Sequence, residues 1–394
     1  MTKSYDIIVT GGGIIGLAFA CALHNTGLRI AVIEGAEPPA STTFTGYDLR
    51  VSAITRASQR FLAQIGAWDL MPPARIAAYQ QMTVWDGCGK GQIEFDSRDV
   101  AEPELGFIIE NRIIRQALLT VLKAQPHIDW LCPMKLTSMQ REPLGVVVQT
   151  EQDEAIHGRL IVGADGANSW LRQQLQIKET SWGYGQQAIV TTVKTECAHE
   201  KTARQVFLAT GPLAFLPLSD PYTSSIVWSS SEAERLMQLD DAAFTAELTQ
   251  KFNARLGAVT LLDKRMSFPL RMRHAKHYVQ ESCALIGDAI HTIHPLAGQG
   301  MNLGLADAQC LAEVICATVA KHRDFGALLT LRRYERTRKG PNLAMIASME
   351  GFKRLFSTGI KPVVNLRSIG LNCVNQVNPV KNYLVAQAMG LTRS

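Results

Sequence analysis

The sequence lacks a strong charge imbalance, a long apolar run, internal repeats and low-complexity tracts. Its 394 residues have a formal net charge of +5, and this small excess is scattered over most of the chain. No DNA- or RNA-binding motif is present, so we expect no nucleic-acid partner. No stretch approaches the roughly 18 uninterrupted apolar residues that a membrane-spanning helix needs, so none is expected.

Disulfide and metal patterns are also missing. The eight cysteines occur singly, without a CxxC pair or a Cys/His cluster at metal-ligand spacing. The chain enters its first strand directly, and glycines interrupt the apolar run that a signal peptide would need. We therefore predict reduced thiols packed as small apolar residues, no metal site and a cytoplasmic protein.

The first motif that is present lies between two apolar runs. Residues 5–10 and 29–33 are predicted to be buried strands, with a helix over residues 17–25 between them. Gly11 allows a tight turn after the first strand, Gly13 lets a pyrophosphate approach the backbone, and Gly16 lets the helix pack on the strand. The spacing predicts a dinucleotide site, with Glu34 as acceptor for a ribose diol. A glycine turn that binds nothing is the minor alternative.

Two further motifs place carboxylates after strands. Asp165-Gly166 follows a predicted strand over residues 157–162. Gly287-Asp288 follows the apolar residues 283–286 and precedes a predicted loop up to Asn302 and a long helix to about residue 320. The carboxyl edge of a sheet is where ligands bind in open α/β folds. For Asp288, a helix N-cap is the structural alternative.

The pattern of elements predicts a discontinuous organisation. Strand–helix alternation predicts a nucleotide-binding domain over residues 1–75, 105–180 and 270–345. Short strands at hairpin spacing predict a β-sheet substrate domain over residues 76–104 and 181–269. Residues 346–394 are predicted to form a C-terminal helical tail.

In this order, the three motifs resemble the single-component FAD-dependent aromatic hydroxylases, the group A flavoprotein monooxygenases of the p-hydroxybenzoate hydroxylase type. The similarity covers nearly the whole chain. Residues 163–172, 215–221 and 291–300 are similar to the ubiquinone-biosynthesis hydroxylases, and residues 386–391 add a similarity to their VisC-type 2-polyprenylphenol hydroxylases. The resemblance implies an α/β fold: a Rossmann-like FAD-binding domain, an inserted antiparallel β-sheet substrate domain and a C-terminal helical region.

The resemblance also implies FAD as resident cofactor. Asp288 would hold the ribityl chain, and the backbone from Gly298 to Asn302 would lie against the isoalloxazine. For Arg50, a surface arginine is an equally weighted alternative. The residues expected to contact the cofactor are Gly11, Gly13, Ile14, Ile15, Gly16, Glu34, Arg50, Arg112, Asp165, Asp288, Pro295, Gly298, Gly300, Met301 and Asn302.

The implied chemistry is hydroxylation of a phenol ring through a C4a-hydroperoxyflavin, with NAD(P)H as electron donor and O2 as co-substrate. The cofactor carries the hard step, so no acid or base is assigned. His291 and His294 have i, i+3 spacing but no third ligand nearby, which favours loop packing beside the flavin over a metal site. Phe215, Pro217, Trp228 and His294 are candidate walls of the substrate pocket, and for the first three a place in the sheet core is equally weighted.

The tail bears on partners. From Gly351 onward it carries lysines and arginines among apolar residues and no acidic residue, as suits an anionic membrane surface. A helical cap on the flavin domain is the alternative. We expect a polyprenylphenol substrate of ubiquinone biosynthesis. Three further possibilities are left open: a peripheral position on the inner face of the cytoplasmic membrane, a biosynthetic enzyme complex and a homo-oligomer. The alternative functions are hydroxylation at another ring position or of a soluble phenol, a flavin-dependent reductase or oxidase, and a non-enzymatic flavin-binding subunit.

Overall fold

The computed structural model describes residues 3–37, 46–293 and 299–391. Ten helices lie in these residues: α1 (Ile14–Ala22), α2 (Arg56–Gln64), α3 (Asn111–Lys123), α4 (Trp170–Gln174), α5 (Ala233–Gln238), α6 (Asp241–Lys251), α7 (Gln299–Val319), α8 (Leu328–Ser357), α9 (Lys361–Gln376) and α10 (Asn378–Ala388). The same residues contain the strands β1 (Lys3–Thr10), β2 (Ile30–Ile33), β3 (Val51–Thr55), β4 (Ile76–Tyr79), β5 (Gln81–Asp86), β6 (Gln92–Asp96), β7 (Gly106–Glu110), β8 (Ile128–Leu131), β9 (Leu136–Glu142), β10 (Gly145–Thr150), β11 (Ala155–Gly163), β12 (Glu179–Thr195), β13 (Thr202–Leu208), β14 (Gly211–Pro217), β15 (Thr223–Ser230), β16 (Val259–Leu261), β17 (Met266–Ala275), β18 (Val279–Gln280), β19 (Cys283–Leu285) and β20 (His291–Thr292).

The first sheet has a parallel centre in the order β19-β11-β1-β2-β8. Its strands are apolar on both faces, as a sheet covered on both sides requires, and all four residues of β2 are buried. Helices α1, α3 and α7 belong to the same hydrophobic core. The parallel pairing brings the carboxyl ends of β1, β2, β11 and β19 to one edge, where the three sequence motifs meet.

The second sheet is mostly antiparallel, in the order β20-β17-β12-β15-β14-β13-β5-β6, with β16 beside β12. Helices α5 and α6 cover one of its faces, where Phe215 stacks on Phe252 with ring centroids 3.7 Å apart. A smaller sheet, β3-β7-β4, packs against the other face through Ala53, Ile108 and Leu216. The second sheet is therefore covered by protein on both faces.

The C-terminal helices cover the end of the second sheet. β6 is its edge strand, and the side chains of Asn372 and Asn375 on α9 accept hydrogen bonds from the backbone N–H groups of Gln92 and Glu94. Because an uncovered edge strand offers unpaired backbone groups, α9 acts as a protein cap for β6.

Several cations of the predicted basic tail have partners inside the protein, and its docking on a membrane stays a prediction. Arg367 is fully buried in an ion pair with Asp86, and Lys381 is paired with Asp99 at 2.9 Å. Lys353 donates to the carbonyl of Tyr184, and Arg354 pairs with Glu350. Arg367, Lys381 and Lys353 therefore attach the tail to the rest of the protein, whereas Arg354 pairs within α8 and stays 78% exposed, and Lys361 is exposed as well.

The boundaries predicted at residues 180 and 269 fall inside strands, because β12 and β17 run across them without a break. The division into domains stays a prediction. The predicted loop before Asn302 is shorter than expected, since His291–Thr292 forms β20 against β17 and α7 begins at Gln299. Among the helices described, none is long and apolar enough to cross a membrane.

Candidate active site

The glycine turn after β1 is shaped by close backbone contacts. Gly11 has a φ of +101°, and a Cβ atom there would lie 2.5 Å from the carbonyl oxygen of Ala164. Around Gly13 the space is open, with no atom within 4 Å of a Cβ position. Gly13 is also the N-cap of α1 and offers no side-chain cap. The first amides of α1, including those of Ile14 and Ile15, therefore face a space into which a phosphate can enter.

Two charged side chains hold this turn. Glu34, after β2, accepts a hydrogen bond from the backbone N–H of Gly12 at 2.8 Å. Arg115 on α3 donates to the carbonyl of Gly12 at 2.9 Å and lies 3.6 Å from the Glu34 carboxylate. Sequence analysis missed Arg115; its position three residues after Arg112 on a predicted helix was the available signal. Glu34 keeps free lone pairs for a ribose diol.

Asp165 faces the glycine turn across a cavity of about 480 Å³ that is also lined by Gly11, Gly13, Glu34 and Gly166. Its Oδ2 accepts the backbone N–H of Leu171, while its buried Oδ1 has no partner among the described residues. Burial raises the pKa of this carboxyl group. An unpaired buried oxygen opposite a row of helix amides fits a ligand that carries both hydroxyl groups and phosphates, as FAD does.

The Gly287-Asp288 motif lies beside the same turn. Ile15 of α1 packs against Gly287, where a Cβ atom would be 3.1 Å from its side chain. Asp288 is accessible to solvent from within a crowded cleft, and burial raises its pKa while His291 and Arg50 oppose that shift. The Arg50 guanidinium lies 5.7 Å from the centre of the Phe268 ring. Arg50 also acts electrostatically on Asp288, so the two side chains lie in one region, as the predicted flavin contacts require.

The predicted flavin loop is only partly described. His294, Pro295 and Gly298 lie outside the described residues. Gly300 and Met301 are in the first turn of α7, whose positive dipole end favours a negative ligand group. The amide side chain of Asn302 joins β3: it accepts from Thr55 N–H at 3.0 Å and donates to the carbonyl of Ala53. Its contact with the flavin stays a prediction.

Arg112 makes several contacts within the protein, and its contact with the flavin stays a prediction. Its guanidinium donates to the buried carboxylate of Glu110, at 2.6 Å and 2.9 Å, and to the carbonyl of Gly46. Arg75 pairs with the other oxygen of Glu110. Arg112 thus ties the end of β7 to the segment before β3.

His291 belongs to a buried polar network. Its Nε2 lies 2.6 Å from Asp307 on α7, which also accepts from Arg338 and Asn342 on α8 and from the backbone N–H of Gly287. Burial alone would lower the pKa of His291, but Asp307 raises it above its ordinary value. The described residues contain no cluster of metal ligands. Through the bond from Gly287 N–H to Asp307, this network holds the Gly287 turn in place.

An apolar pocket of about 170 Å³ lies between the second sheet, the small sheet and α10. Its lining residues are mostly aliphatic or aromatic: Val51, Ala53, Tyr79, Met82, Phe95, Leu105, Ile108, Ala203, Arg204, Gln205, Ala214, Leu216, Val227, Gln299, Leu384, Val385, Ala388 and Met389. Gln299 begins α7, so the pocket adjoins the predicted flavin loop.

The candidate walls Phe215, Pro217 and Trp228 must be corrected. Phe215 and Trp228 lie in the core under α5 and α6, on the sheet face opposite the pocket. Side chains alternate along a strand, so Ala214 and Leu216 of β14 face the pocket, whereas Phe215 and Pro217 face away from it. The residues of α10 were missed as pocket residues, because nothing in the sequence links them to the sheet.

Comparisons with known proteins agree with this geometry. The family model described as "FAD binding domain" matches residues 4–344. Ubiquinone hydroxylase UbiL of Rhodospirillum rubrum is 38% identical over 390 residues, covering 98% of this chain and 90% of that protein. The 3-demethoxyubiquinol 3-hydroxylase of Escherichia coli is 35% identical, covering 98% of both chains.

The fold has solved counterparts. The crystal structure of PqsL, a probable FAD-dependent monooxygenase of Pseudomonas aeruginosa, superposes with a TM-score of 0.79 at 22% identity, covering 94% of this chain and 99% of that one. Fold, site and relatives thus define an FAD-dependent monooxygenase, for which NAD(P)H and O2 are the typical co-substrates. The chain belongs to the FAD binding domain family and, within it, to the flavin monooxygenases of ubiquinone biosynthesis. The predicted fold class, family and cofactor are confirmed.

Proposed function

We propose that the protein hydroxylates the aromatic ring of a polyprenylphenol intermediate of ubiquinone biosynthesis, using NAD(P)H and O2. The observation that carries the proposal is the apolar pocket beside the start of α7. A ubiquinone hydroxylase and a 3-demethoxyubiquinol 3-hydroxylase among the relatives support a substrate of this class. The VisC-type similarity of residues 386–391 supports a 2-polyprenylphenol among the candidates.

FAD, when bound, supplies the redox chemistry that activates oxygen with electrons from NAD(P)H. The glycine turn and Glu34 would hold its adenosine and phosphate portion, and Asp288 would hold the chain that leads to the ring. The amino end of α7 stabilises negative charge at the ring. The protein's part in the reaction is therefore mostly binding and electrostatic.

The pocket orients the phenol and keeps water away from the reacting groups. Its lining has a much larger apolar than polar part, with Tyr79, Arg204, Gln205 and Gln299 as the polar members. Burial raises the pKa of Tyr79 to about 12, so its hydroxyl stays protonated at neutral pH and is available as a hydrogen-bond donor. Side chains that exclude water favour oxygen transfer to the ring over loss of the activated oxygen.

The test uses FAD-loaded protein with NAD(P)H, isotopically labelled O2 and a short-chain polyprenylphenol. We expect one labelled oxygen in the aromatic ring. NAD(P)H oxidation without label in the ring would identify a reductase or oxidase instead. Faster turnover of a soluble phenol that has no prenyl tail would identify the soluble-phenol alternative.

A pair of leucine variants makes the test specific to the pocket. Leu216→Glu places a charge in the apolar lining and should lower product formation at least about ten-fold, because burying an unpaired carboxylate is costly. Leu262→Glu makes the same change at a leucine that is 51% exposed and should have little effect. Equal loss in both variants would contradict the placement of the substrate.

We also propose that the outer face of α9 and α10 docks on a membrane surface. Leu366, Ile369 and Tyr383 on this face are among the most exposed large apolar side chains of the protein. A substrate dissolved in a bilayer makes such docking useful, and apolar insertion rather than charge would provide it, since most tail cations are paired. The double change Leu366→Glu and Ile369→Glu should abolish cosedimentation with lipid vesicles, whereas Leu262→Glu should not; unchanged cosedimentation would contradict docking.

A further inference from the structure

Helix α10 supplies one side of the apolar pocket with four residues, Leu384, Val385, Ala388 and Met389. Their spacing of one and four residues places them on one face of the helix. Val385 and Met389 are buried against Leu105, inside the pocket. Leu384 and Ala388 also line the pocket but are exposed, so they lie where the pocket opens to solvent.

Apolar surface continues outward from this opening. Leu384 is 41% exposed and is preceded along the helix by Val380 and Tyr383, which are exposed as well. A phenol ring inside the pocket with a long apolar substituent would leave the pocket past Leu384 and Ala388. The substituent would then stay in contact with apolar side chains, which is favourable in water.

The position of α10 is fixed by polar contacts, because few of its side chains are buried. Arg367 on the preceding helix α9 makes two hydrogen bonds to Asp86, of 2.7 Å and 2.9 Å, and both side chains are fully buried. At the other end, the carbonyl of Met389 accepts the backbone N–H of Ala57 at the start of α2. Bidentate arginine–carboxylate pairs are directional, so this contact sets where α9 lies, and α10 follows α9 directly. On α10 itself, Lys381 pairs with Asp99, and Asn382 donates to the Asp99 carbonyl.

We infer that α10 forms the mouth of the substrate pocket, that Leu384 and Ala388 select phenols by the size of the ring substituent, and that Asp86 and Arg367 are positioning residues for this mouth. The inference rests on the proposed hydroxylation of a polyprenylphenol. It assigns substrate selection to the C-terminal helix, outside the residues matched by the family model.

The first test narrows the mouth. Ala388→Phe is compared with Gln387→Phe, a matched change at an exposed neighbour that does not line the pocket. Dissociation constants are measured from the change in the visible spectrum of bound flavin, without NAD(P)H, for a small phenol and for a polyprenylphenol. Ala388→Phe should weaken binding of the polyprenylphenol at least about ten-fold and binding of the small phenol less than about two-fold. The larger side chain would block the opening, through which only the prenyl substituent passes. Gln387→Phe should change neither.

Each result decides the question. If Ala388→Phe binds both ligands as Gln387→Phe does, the mouth lies elsewhere and the inference fails while the proposed function stands. If the wild-type protein binds neither phenol, the proposed function fails and the inference falls with it.

The second test removes the ion pair between Arg367 and Asp86 and measures the effect on α10. Arg367→Gln should speed amide hydrogen exchange in residues 378–390 and reduce the discrimination between the two phenols about five-fold or more, with the FAD content unchanged. Arg367→Lys should restore part of the discrimination because it keeps the charge. Should Arg367→Gln fail to fold because Asp86 is left unpaired, the double change Asp86→Asn and Arg367→Gln removes the buried charge and replaces it in the test. Unchanged exchange and unchanged discrimination would overturn the positioning role.

Discussion

The cofactor cradle at the Gly11 turn is built mainly from backbone atoms and short contacts, whereas the apolar pocket is built from side chains of distant segments. In the cradle, a Cβ atom on Gly11 would come within 2.5 Å of Ala164 O, so little variation is tolerated. The pocket combines the faces of two sheets with α10, and one lining residue can be exchanged for another of similar volume. The difference suits a binding site with one fixed cofactor beside a site for one member of a class of substrates.

The largest effect is expected on stability, from alanine substitutions on the two opposite faces of β14. Phe215→Ala should lower the free energy of unfolding by about 3–5 kcal/mol, because it leaves a cavity in the core under α6. Leu216→Ala, on the next residue but the pocket face, should cost about 1 kcal/mol or less and instead weaken phenol binding. Urea unfolding and ligand titration measure the two effects. Similar losses of stability in both variants would show that the pocket face is core as well.

The second effect tests how rigid the cradle is. Gly11→Ala adds a Cβ atom against fixed backbone at a φ of +101° and should weaken FAD about 100-fold, as a strain of about 3 kcal/mol implies. Gly27→Ala is the control: its φ is also positive, at +69°, but the space around it is open. It should cost about 1 kcal/mol of stability and leave FAD binding unchanged. Normal FAD binding by Gly11→Ala would contradict the assignment of the turn.

The third effect is a loss of stability at acidic pH, and it arises at His274, which pairs with His291 across β17 and β20. Burial, with help from His291, lowers the pKa of His274 to about 4 from an ordinary 6.5. Below pH 6.5, His274 is protonated in the unfolded chain but stays neutral in the folded protein. The free energy of unfolding therefore decreases as pH falls from about 6.5 toward about 4. The loss from this group should reach about 2–3 kcal/mol.

His274→Gln should therefore flatten the pH dependence of unfolding in this range, as measured by urea unfolding at several pH values. His277→Gln, at an exposed histidine three residues away, should leave it unchanged. An unaltered slope in His274→Gln would show that this histidine is not held neutral.

The cradle could be predicted from the sequence because its parts follow one another along the chain. Residues 3–34 form a strand, turn, helix and strand, each recognisable from local residue types. The pocket could not be predicted in the same way. Alternation along β14 shows that Phe215 and Leu216 face opposite sides, but both sides are covered by protein, so composition does not tell which one faces the substrate.

The partners of charged residues could not be predicted for a related reason. Sequence reasoning missed the ion pair of Arg112 with Glu110, two residues earlier. Arg367 was expected on a basic surface, but its partner Asp86 lies 281 residues away in the sequence. Ion pairs between distant segments leave no periodic pattern, so they become visible only when the fold is known.

The cover that Asn372 and Asn375 place over β6 has a consequence for the protein in solution. A chain shortened before α9 would expose the backbone groups of this edge strand and the apolar residues beneath it. We expect such a chain to self-associate by strand pairing between molecules, with light scattering that grows with protein concentration, even where its FAD-binding residues are complete. The last helices of the chain would thus act as a guard against aggregation during and after folding.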